Sequence, residues 1–179
     1  MPRRSGAGGV PSDRRCRCAH VLDDGPVVRR KPFDVLKSNG LSSMGFALPA
    51  AIASALETPE RPVAVVTGDG GMMMCLAELS TAARLCLRLV VVVINDAALS
   101  LIDIKQQGQQ RPSLGVRYPS LDFAAAAEAM GCRGWRVSMG EPLALALALR
   151  AAFSTDGPAL VDVACDASGY AAQLAALRG

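Results

Sequence analysis

Short apolar runs alternate along this chain with longer segments whose composition favours helices. Two of the runs, at residues 63–67 and 89–94, are apolar at nearly every position, which is typical of strands buried on both faces of a parallel sheet. Residues 73–84, which lie between them, have a helical composition. The region therefore predicts a strand, a helix and a second strand, joined by the right-handed crossover that parallel neighbours use.

The same alternation continues on either side of this unit. Helices are expected from close to Pro49 to residue 57 and over 97–106, 121–130, 142–153 and 170–177, and strands over 33–37, 135–137 and 159–164. Residues 142–153 are ambiguous because leucine and alanine alternate as in a strand, but the length and the proline at the start favour a helix. Strands and helices in alternation indicate the α/β class, with a doubly wound, mostly parallel sheet flanked by helices.

One predicted loop is unusually long. Residues 107–120 are polar and contain several glycines and prolines, so no regular element is expected there. Loops of this length in compact domains are usually functional or are ordered by a partner.

The positive charge of the chain is concentrated at its start. The formal net charge is +3, but arginines cluster in residues 1–31 and the remainder is near neutral to acidic. Glycine, proline and serine are frequent in this stretch, which predicts a disordered basic leader at 1–31 and one folded domain at 32–179. A basic binding arm is the alternative for the leader. Cys16, Cys18 and His20 allow a zinc interpretation, but no second cysteine pair follows, so we interpret them as incidental.

The sequence predicts neither export nor membrane insertion. The charged first residues are not followed by the apolar region of a secretory signal, and the longest apolar runs are too short to span a bilayer. Beyond residue 31 there is no basic footprint for nucleic acid. We therefore expect a soluble, cytoplasmic protein without a membrane or nucleic-acid partner.

Acidic residues follow two strands that are expected to be neighbours. Gly68, Asp69, Gly70 and Gly71 come directly after the first central strand, and Asn95-Asp96 follows the second. Magnesium is typically held by one or two carboxylates together with phosphate oxygens, and glycines let a loop present backbone amides to an anion. Either motif alone is more often a tight turn or a helix cap. Together, at matching strand ends, they predict a site for a metal and a diphosphate.

Three ordered motifs carry a family resemblance. They are residues 38–51, Gly68-Asp69-Gly70 with Asn95-Asp96 downstream, and residues 99–106. They resemble, in this order, the glycine-rich entry segment, the metal and diphosphate motif, and the following helix of thiamine diphosphate-dependent enzymes. The acetolactate synthase and 2-oxo acid decarboxylase branch is the most similar. The resemblance covers the chain from about residue 33 and implies the thiamine diphosphate-binding fold.

The resemblance implies a role for each matching residue of the metal motif. The side chains of Asp69 and Asp96, with the Ala98 backbone carbonyl as a third protein ligand, would bind magnesium. The backbone amides of Gly70 and Gly71 would contact the diphosphate of the cofactor. Magnesium and thiamine diphosphate are thus the cofactors implied.

The aminopyrimidine ring of the cofactor would be held by the entry segment. The Ser42 carbonyl would accept a hydrogen bond from the ring, and the Met44 amide would bind another of its edges. Asp103 stands where the family leads us to expect a basic residue. The full set of cofactor-binding residues implied in this way is Ser42, Met44, Gly68, Asp69, Gly70, Gly71 and Asp96.

No residue of this chain is expected to be catalytic. The family's reaction needs a glutamate from a separate pyrimidine-binding domain, and no glutamate in this sequence matches it. The resemblance therefore implies a partner, either a pyrimidine-binding chain or a homo-oligomer, and a small 2-oxo acid as substrate. Two alternatives stay open: an inactive, truncated C-terminal fragment and a non-catalytic interaction domain of the same fold.

Overall fold

The computed structural model describes residues 17–20, 35–36 and 42–172. The described strands are β1 Arg17–His20, β2 Val35–Leu36, β3 Val63–Gly68, β4 Leu89–Asn95, β5 Arg133–Ser138 and β6 Ala159–Ala164. The helices are α1 Ala47–Glu57, α2 Asp69–Met73, α3 Glu78–Arg84, α4 Ser100–Gly108, α5 Phe123–Ala129 and α6 Pro142–Ser154. A further helix begins at Tyr170 and reaches the end of the described range. None of the described helices is long and apolar enough to cross a membrane.

The described strands form a single parallel sheet. Its order is β2-β1-β3-β4-β6-β5, and every neighbouring pair runs in the same direction. β3 and β4 occupy the centre, and helices connect the strands across both faces. The predicted doubly wound α/β fold is confirmed. In such a sheet ligands bind beyond the carboxyl ends of the strands.

Apolar side chains cover both faces of the sheet. On one face, α1, α3 and α5 contribute to one apolar cluster with β3, β4 and β6 around Leu48, Leu79 and Phe123, which are fully buried. On the other face, α6 packs against β4 and β6 through Ala148 and Ala152. Removing a large apolar side chain from water stabilises the fold by roughly 1.5–3 kcal/mol. The near-continuous apolar runs of β3 and β4 are therefore explained by burial on both sides.

Helix α6 resolves the ambiguous segment. It begins at Pro142, where the missing N–H of proline has no helical partner to lose. Ala148 and Ala152 are buried at helical spacing, while Leu143 and Leu147 are exposed on another side. The helix prediction for this segment is confirmed, and its leucine–alanine alternation does not reflect a strand.

Strand β1 lies inside the stretch that was predicted to be disordered. It pairs with β3 from Arg17 opposite Val63 to His20 opposite Val66, and it also pairs with β2. The prediction is therefore wrong for these four residues, because pairing with a central strand can order a segment that has no apolar pattern of its own. Cys16 lies outside the described residues. The domain boundary at residue 32 stays a prediction.

The predicted helix over residues 73–84 is interrupted. α2 ends at Met73, residues 74–77 form turns, and α3 begins at Glu78. A continuous α-helix would pair the Cys75 amide with the Gly71 carbonyl. Instead, the Cys75 thiol donates to the Gly71 carbonyl at 3.3 Å, and the Cys75 amide donates to the Met72 carbonyl at 3.1 Å. The tighter turn that results separates the two helices.

A close contact between β5 and α5 leads to a stability prediction. A Cβ added at Gly134 would lie 2.8 Å from the Ala124 carbonyl carbon and closer still to its oxygen. Because backbone cannot move aside as a flexible side chain can, Gly134→Ala is expected to lower the free energy of unfolding by about 1–3 kcal/mol. Urea unfolding monitored by circular dichroism measures it.

Gly108→Ala is the matched control for this change. Gly108 ends α4, and a Cβ there would meet nothing within 4 Å. Alanine is the better helix former by roughly 1 kcal/mol in a helix interior, so the control should be as stable as the parent or slightly more so. Equal urea midpoints for Gly134→Ala and the parent would show that α5 does not pack on β5 this closely.

Candidate functional site

The central strands end level with one another at one edge of the sheet. Gly68, the last residue of β3, pairs with Ile94 of β4. Asn95, the last residue of β4, pairs with the last residue of β6. Asp69 and Asp96 follow β3 and β4 directly, so both carboxylates emerge at this edge. The predicted meeting of the two strand exits is observed.

Asp69 is deeply buried and incompletely paired. It is 3% exposed, and its Oδ1 accepts a hydrogen bond from the Gly70 amide at 2.7 Å. Its Oδ2 is buried without a hydrogen-bond partner among the described residues. Burial raises the pKa of Asp69, the Gly70 hydrogen bond partly offsets this, and the neighbouring Asp96 raises it further. Because burying an unpaired anionic oxygen is costly, this position favours a bound cation.

Asp96 shapes the turn that follows β4. Its Oδ1 accepts a hydrogen bond from the Ala98 amide at 3.3 Å, and its Oδ2 accepts one from Ser100 Oγ at 2.5 Å. Ala97 has a left-handed backbone with φ 57°, which costs an L-residue roughly 1–2 kcal/mol. Asp96 therefore does stabilise the turn before α4, as the helix-cap alternative predicts. Its carboxylate oxygens still have lone pairs for a further ligand.

The two carboxylates fit a divalent cation whose other ligands come from elsewhere. Across the ranges that the structure describes, no three His, Cys, Asp or Glu side chains converge on one point. Magnesium takes six oxygens in octahedral geometry and often has only one or two carboxylates among them. Asp69 and Asp96 meet that requirement, and Ala98 lies in the turn beside them. The assignment of these three residues as ligands stays a prediction.

The glycine-rich entry segment packs directly on the turn after β3. A Cβ added at Gly70 would meet Met44 Cε at 3.1 Å. A Cβ added at Gly71 would lie 2.9 Å from Thr67 Oγ1 and 3.6 Å from the Gly45 amide. The two segments can touch only because these positions carry no side chain. The structure therefore brings Met44, Gly70 and Gly71 together.

Three of the backbone roles implied by the resemblance are not visible as contacts. The Gly70 amide, expected to face the diphosphate, donates to Asp69 instead. Gly68 ends β3, and a Cβ there would meet nothing within 4 Å. Ser42 is exposed and has a left-handed backbone with φ 51°. Their roles toward the cofactor stay predictions.

Tyr118 was not singled out in the sequence, but it lies beside Gly70 and close to both aspartates. Its hydroxyl is 3.4 Å from the position that a Gly70 Cβ would take. Burial raises the pKa of Tyr118, and the charges of Asp69 and Asp96 add to that effect. The sequence did contain a signal for this residue, because Tyr118 is the one aromatic residue in the long polar loop over 107–120.

A buried carboxylate on β6, also missed, fixes the end of β4. Asn95 Nδ2 donates to Asp162 Oδ1 at 2.9 Å, and the Phe123 amide donates to Asp162 Oδ2 at 3.1 Å. Asn95 Nδ2 also donates to the Leu121 carbonyl at 2.9 Å. Burial raises the pKa of Asp162, while Asn95, Phe123 and the cation of Arg136 lower it. The network joins β4, β6 and the start of α5 next to Asp96.

An ion pair anchors the long loop to α4. Arg117 donates from Nε and Nη2 to Asp103 Oδ2 at 3.0 and 2.8 Å, and Ser113 donates to the other Asp103 oxygen. Asp103 is 5% exposed. Its pKa is lowered, most by Ser113 and then by Gln107 and Arg117. The acidic residue that stands where a basic one was expected therefore serves the attachment of the loop.

The fold and the site together define a cofactor-binding α/β domain with paired carboxylates at its strand exits. Residues 25–163 match the family model described as "Thiamine pyrophosphate enzyme, C-terminal TPP binding domain". The chain belongs to this family, and it corresponds to the C-terminal domain that binds thiamine pyrophosphate, another name for thiamine diphosphate. The predicted family is confirmed.

Curated relatives include acetolactate synthases. The chain is 39% identical over 132 residues to the catabolic acetolactate synthase of Raoultella terrigena. The aligned residues cover 74% of this chain and 23% of that protein. It is 35% identical over 138 residues to the acetolactate synthase of Bacillus subtilis (strain 168), which covers 77% and 24%. The chain thus spans about a quarter of the length of these relatives.

A solved structure shares the fold. The benzoylformate decarboxylase from Polynucleobacter necessarius aligns with a TM-score of 0.71 and 21% identity, over 88% of this chain and 31% of that protein. At this identity the likeness concerns the fold alone. It agrees with the parallel sheet and flanking helices described above.

The Asp103 ion pair leads to a pH-dependent stability prediction. The pKa of Asp103 is lowered from 3.8 in the folded protein, so its ionised form stabilises the fold above that pH. The contribution is lost as the pH falls below 3.8 through the lower, folded-state pKa. Asp103→Asn should therefore melt at a lower temperature than the parent at pH 7, with the difference shrinking at acidic pH. Thermal melts by circular dichroism at several pH values measure it.

The exposed Asp156 offers a control for this experiment. Asp156→Asn also removes one carboxylate, but no hydrogen bond or ion pair described above depends on it, so its melting temperature should follow that of the parent at every pH. A constant difference between Asp103→Asn and the parent from neutral to strongly acidic pH would mean that the ionised carboxylate is not what holds the loop.

Proposed function

We propose that this chain binds thiamine diphosphate through magnesium and is the diphosphate-binding domain or subunit of a 2-oxo acid decarboxylase or carboligase of the acetolactate synthase kind. Its membership of the family and the acetolactate synthases among its relatives support the proposal. In this role it takes part in a lyase or transferase reaction on a small 2-oxo acid.

The observation that carries the proposal is the state of Asp69. A buried carboxylate oxygen without a partner lies beside a second carboxylate, Asp96, which adds repulsion. A protein that needed Asp69 only for its fold would gain from pairing both oxygens, as it does for Asp162. A magnesium ion that binds both carboxylates would remove the repulsion and supply the missing partner.

In this proposal, the residues of this chain bind and position the cofactor and do not react themselves. Thiamine diphosphate supplies, when bound, the carbon centre that adds to the carbonyl group of the substrate. Asp69 and Asp96 would hold the metal that neutralises the diphosphate. The network of Asn95 and Asp162 keeps the exit of β4 in place. Met44 and Gly45, packed against the turn after β3, would line the approach to the cofactor ring.

Catalysis requires a second domain in this proposal. The chain holds no residue that matches the catalytic glutamate of the family, and it spans about a quarter of its curated relatives. We propose that a pyrimidine-binding domain completes the site, either on another chain or within an oligomer. A cytoplasmic location is also proposed. The described cysteines Cys75, Cys86, Cys132 and Cys165 are free thiols, which agrees with a reducing compartment.

Cofactor binding should be measurable as stabilisation. With magnesium and thiamine diphosphate at about 100 times the dissociation constant, the native state gains about 2.7 kcal/mol. For a domain of this size the gain raises the melting temperature by about 5–10 °C. Asp69→Ala should abolish the shift because it removes the buried metal ligand. Differential scanning fluorimetry with metal, cofactor, both and neither measures it.

Two further variants make this test specific. Asp69→Asn keeps the size of the side chain while removing its charge, so it should fold and also lose the shift. Asp156→Ala removes an exposed carboxylate away from the strand exits and should keep the shift. If Asp69→Ala and Asp69→Asn shift as much as the parent, the assignment of the metal site is wrong.

The exposed apolar residues of α4 generate a prediction about association. Asp103 is the one fully buried residue of this helix, while Leu101 and Ile102 are 56% and 44% exposed. Exposed apolar residues at the edge that carries the site suit contact with another domain. The chain is expected to self-associate, or to bind a pyrimidine-domain partner, at micromolar concentration in sedimentation velocity experiments.

Leu101→Lys combined with Ile102→Lys should weaken that association without unfolding the chain, because both side chains already face solvent. Leu56→Lys is the matched control, since Leu56 is 54% exposed and lies at the end of α1 that leads into the start of β3, away from the strand exits. A clean monomer of the parent, both alone and mixed with the candidate partner, would contradict the prediction.

A further inference from the structure

Two buried polar atoms lie beside Gly70 without a hydrogen bond of normal geometry to any described residue, Asp69 Oδ2 and Tyr118 Oη. Their side chains are close enough that each affects the pKa of the other. One is an anionic acceptor, and the other is a phenol that keeps its proton at neutral pH. A buried tyrosine hydroxyl usually finds a partner. With Asp69 Oδ2 taken up by a metal ion, the hydroxyl would be free to donate to a bound ligand.

Backbone hydrogen bonds hold Tyr118 at this position. The Tyr118 amide donates to the Ala97 carbonyl at 3.2 Å, and the Leu99 amide donates to the Val116 carbonyl at 2.7 Å. Ala98 lies between them in an antiparallel bridge with the loop. The turn that carries Asp96 is thus paired directly with the residues around Tyr118. Any change in the position of the loop would also move the hydroxyl away from Asp69.

Side chains hold the same part of the loop. Arg117, the neighbour of Tyr118 in sequence, is bound through two nitrogens to the buried carboxylate of Asp103. Ser113 binds the same carboxylate. Both Arg117 nitrogens converge on the single oxygen Oδ2, and hydrogen bonds between ionised groups are stronger than those between neutral groups. The position of the Tyr118 hydroxyl is therefore fixed from α4 as well as from the turn.

One of the two backbone donors that the family resemblance assigns to the diphosphate is already engaged. The Gly70 amide, which the family resemblance directs toward the diphosphate, is engaged by Asp69 Oδ1 at 2.7 Å. The Tyr118 hydroxyl is 3.4 Å from where a Gly70 Cβ would lie, so it occupies the same small region. An anion bound there beside two carboxylates needs neutral or positive donors as well as the metal.

We propose that the Tyr118 hydroxyl donates a hydrogen bond to an oxygen of the bound diphosphate, which makes the loop around it a part of the cofactor site. This inference rests on the proposed function. It assigns the loop anchored by Asp103 and Arg117 to cofactor binding rather than only to the fold. The ligand group concerned is a metal-bound diphosphate, whatever the organic group attached to it.

Tyr118→Phe tests the proposal because it removes the hydroxyl and keeps the ring. The affinity of the full chain for thiamine diphosphate at saturating magnesium, measured by isothermal titration calorimetry, should fall about tenfold, the loss expected for one hydrogen bond to a charged group. The affinity for inorganic pyrophosphate with magnesium should fall by a similar factor. The affinity for manganese alone should stay unchanged, since the contact is to phosphate.

Tyr170→Phe is the matched control. It removes the other tyrosine hydroxyl of the chain, which lies near the same carboxylates but already has a partner, the Cys165 thiol at 3.4 Å. It should leave the affinity for thiamine diphosphate within about twofold of the parent. A tenfold loss of thiamine diphosphate affinity in Tyr170→Phe as well would show that the effect is not specific to the Tyr118 hydroxyl, and it would overturn the proposal.

The remaining outcomes are equally decisive. Without ligands, Tyr118→Phe should melt within about 2 °C of the parent, because its hydroxyl has no hydrogen bond of normal geometry to lose. A fall of several degrees would assign the hydroxyl to the fold instead. Unchanged affinity in Tyr118→Phe, or an equal loss for manganese alone, would also overturn this inference while leaving the proposed function intact. A parent chain that binds no thiamine diphosphate would overturn both.

Discussion

The parallel register between β3 and β4 is the constraint on which the site depends. It sets Gly68 opposite Ile94. Asp69 follows Gly68 directly and Asp96 lies two residues after Ile94, so both leave the sheet at the same edge. A shift by one residue would turn every side chain of a strand to the other face. Burial of both strands on both faces makes such a shift costly. The core therefore fixes the distance between Asp69 and Asp96.

Two carboxylates buried near one another show how the fold treats function and stability differently. Asp162 is wholly buried, yet Asn95 and the Phe123 amide pair both of its oxygens. Asp69 is almost as buried, and one of its oxygens has no partner in the described structure. The first carboxylate joins three elements, while the second is the one that we propose binds the metal. A buried charge that is left unpaired costs stability, and a binding site is a sufficient reason to retain one.

The sequence was informative where the signal is local or strongly periodic. The apolar runs of β3, β4 and β6 and the proline start of α6 were enough to predict those elements. Gly68-Asp69-Gly70 and Asn95-Asp96 were enough to predict that two carboxylates emerge at one edge of the sheet. What was missed depends on contacts between distant residues. β1 is ordered by pairing with β3, and the break before α3 depends on where the Cys75 thiol donates. Tyr118 reaches the site only because its loop pairs with the turn after β4.

The arrangement of the loop bears on how a divided site can work. If the loop were disordered before a partner bound, part of the binding free energy would be spent on ordering it. Here the loop is held by an ion pair to α4, by a backbone bridge at Ala98 and by the hydrogen bond from Tyr118 to Ala97. These contacts lie within the chain and need neither cofactor nor partner. In the proposed function, the part of the site that this chain supplies is therefore organised without the second domain, and contact with that domain would add affinity and the catalytic group that we expect from it.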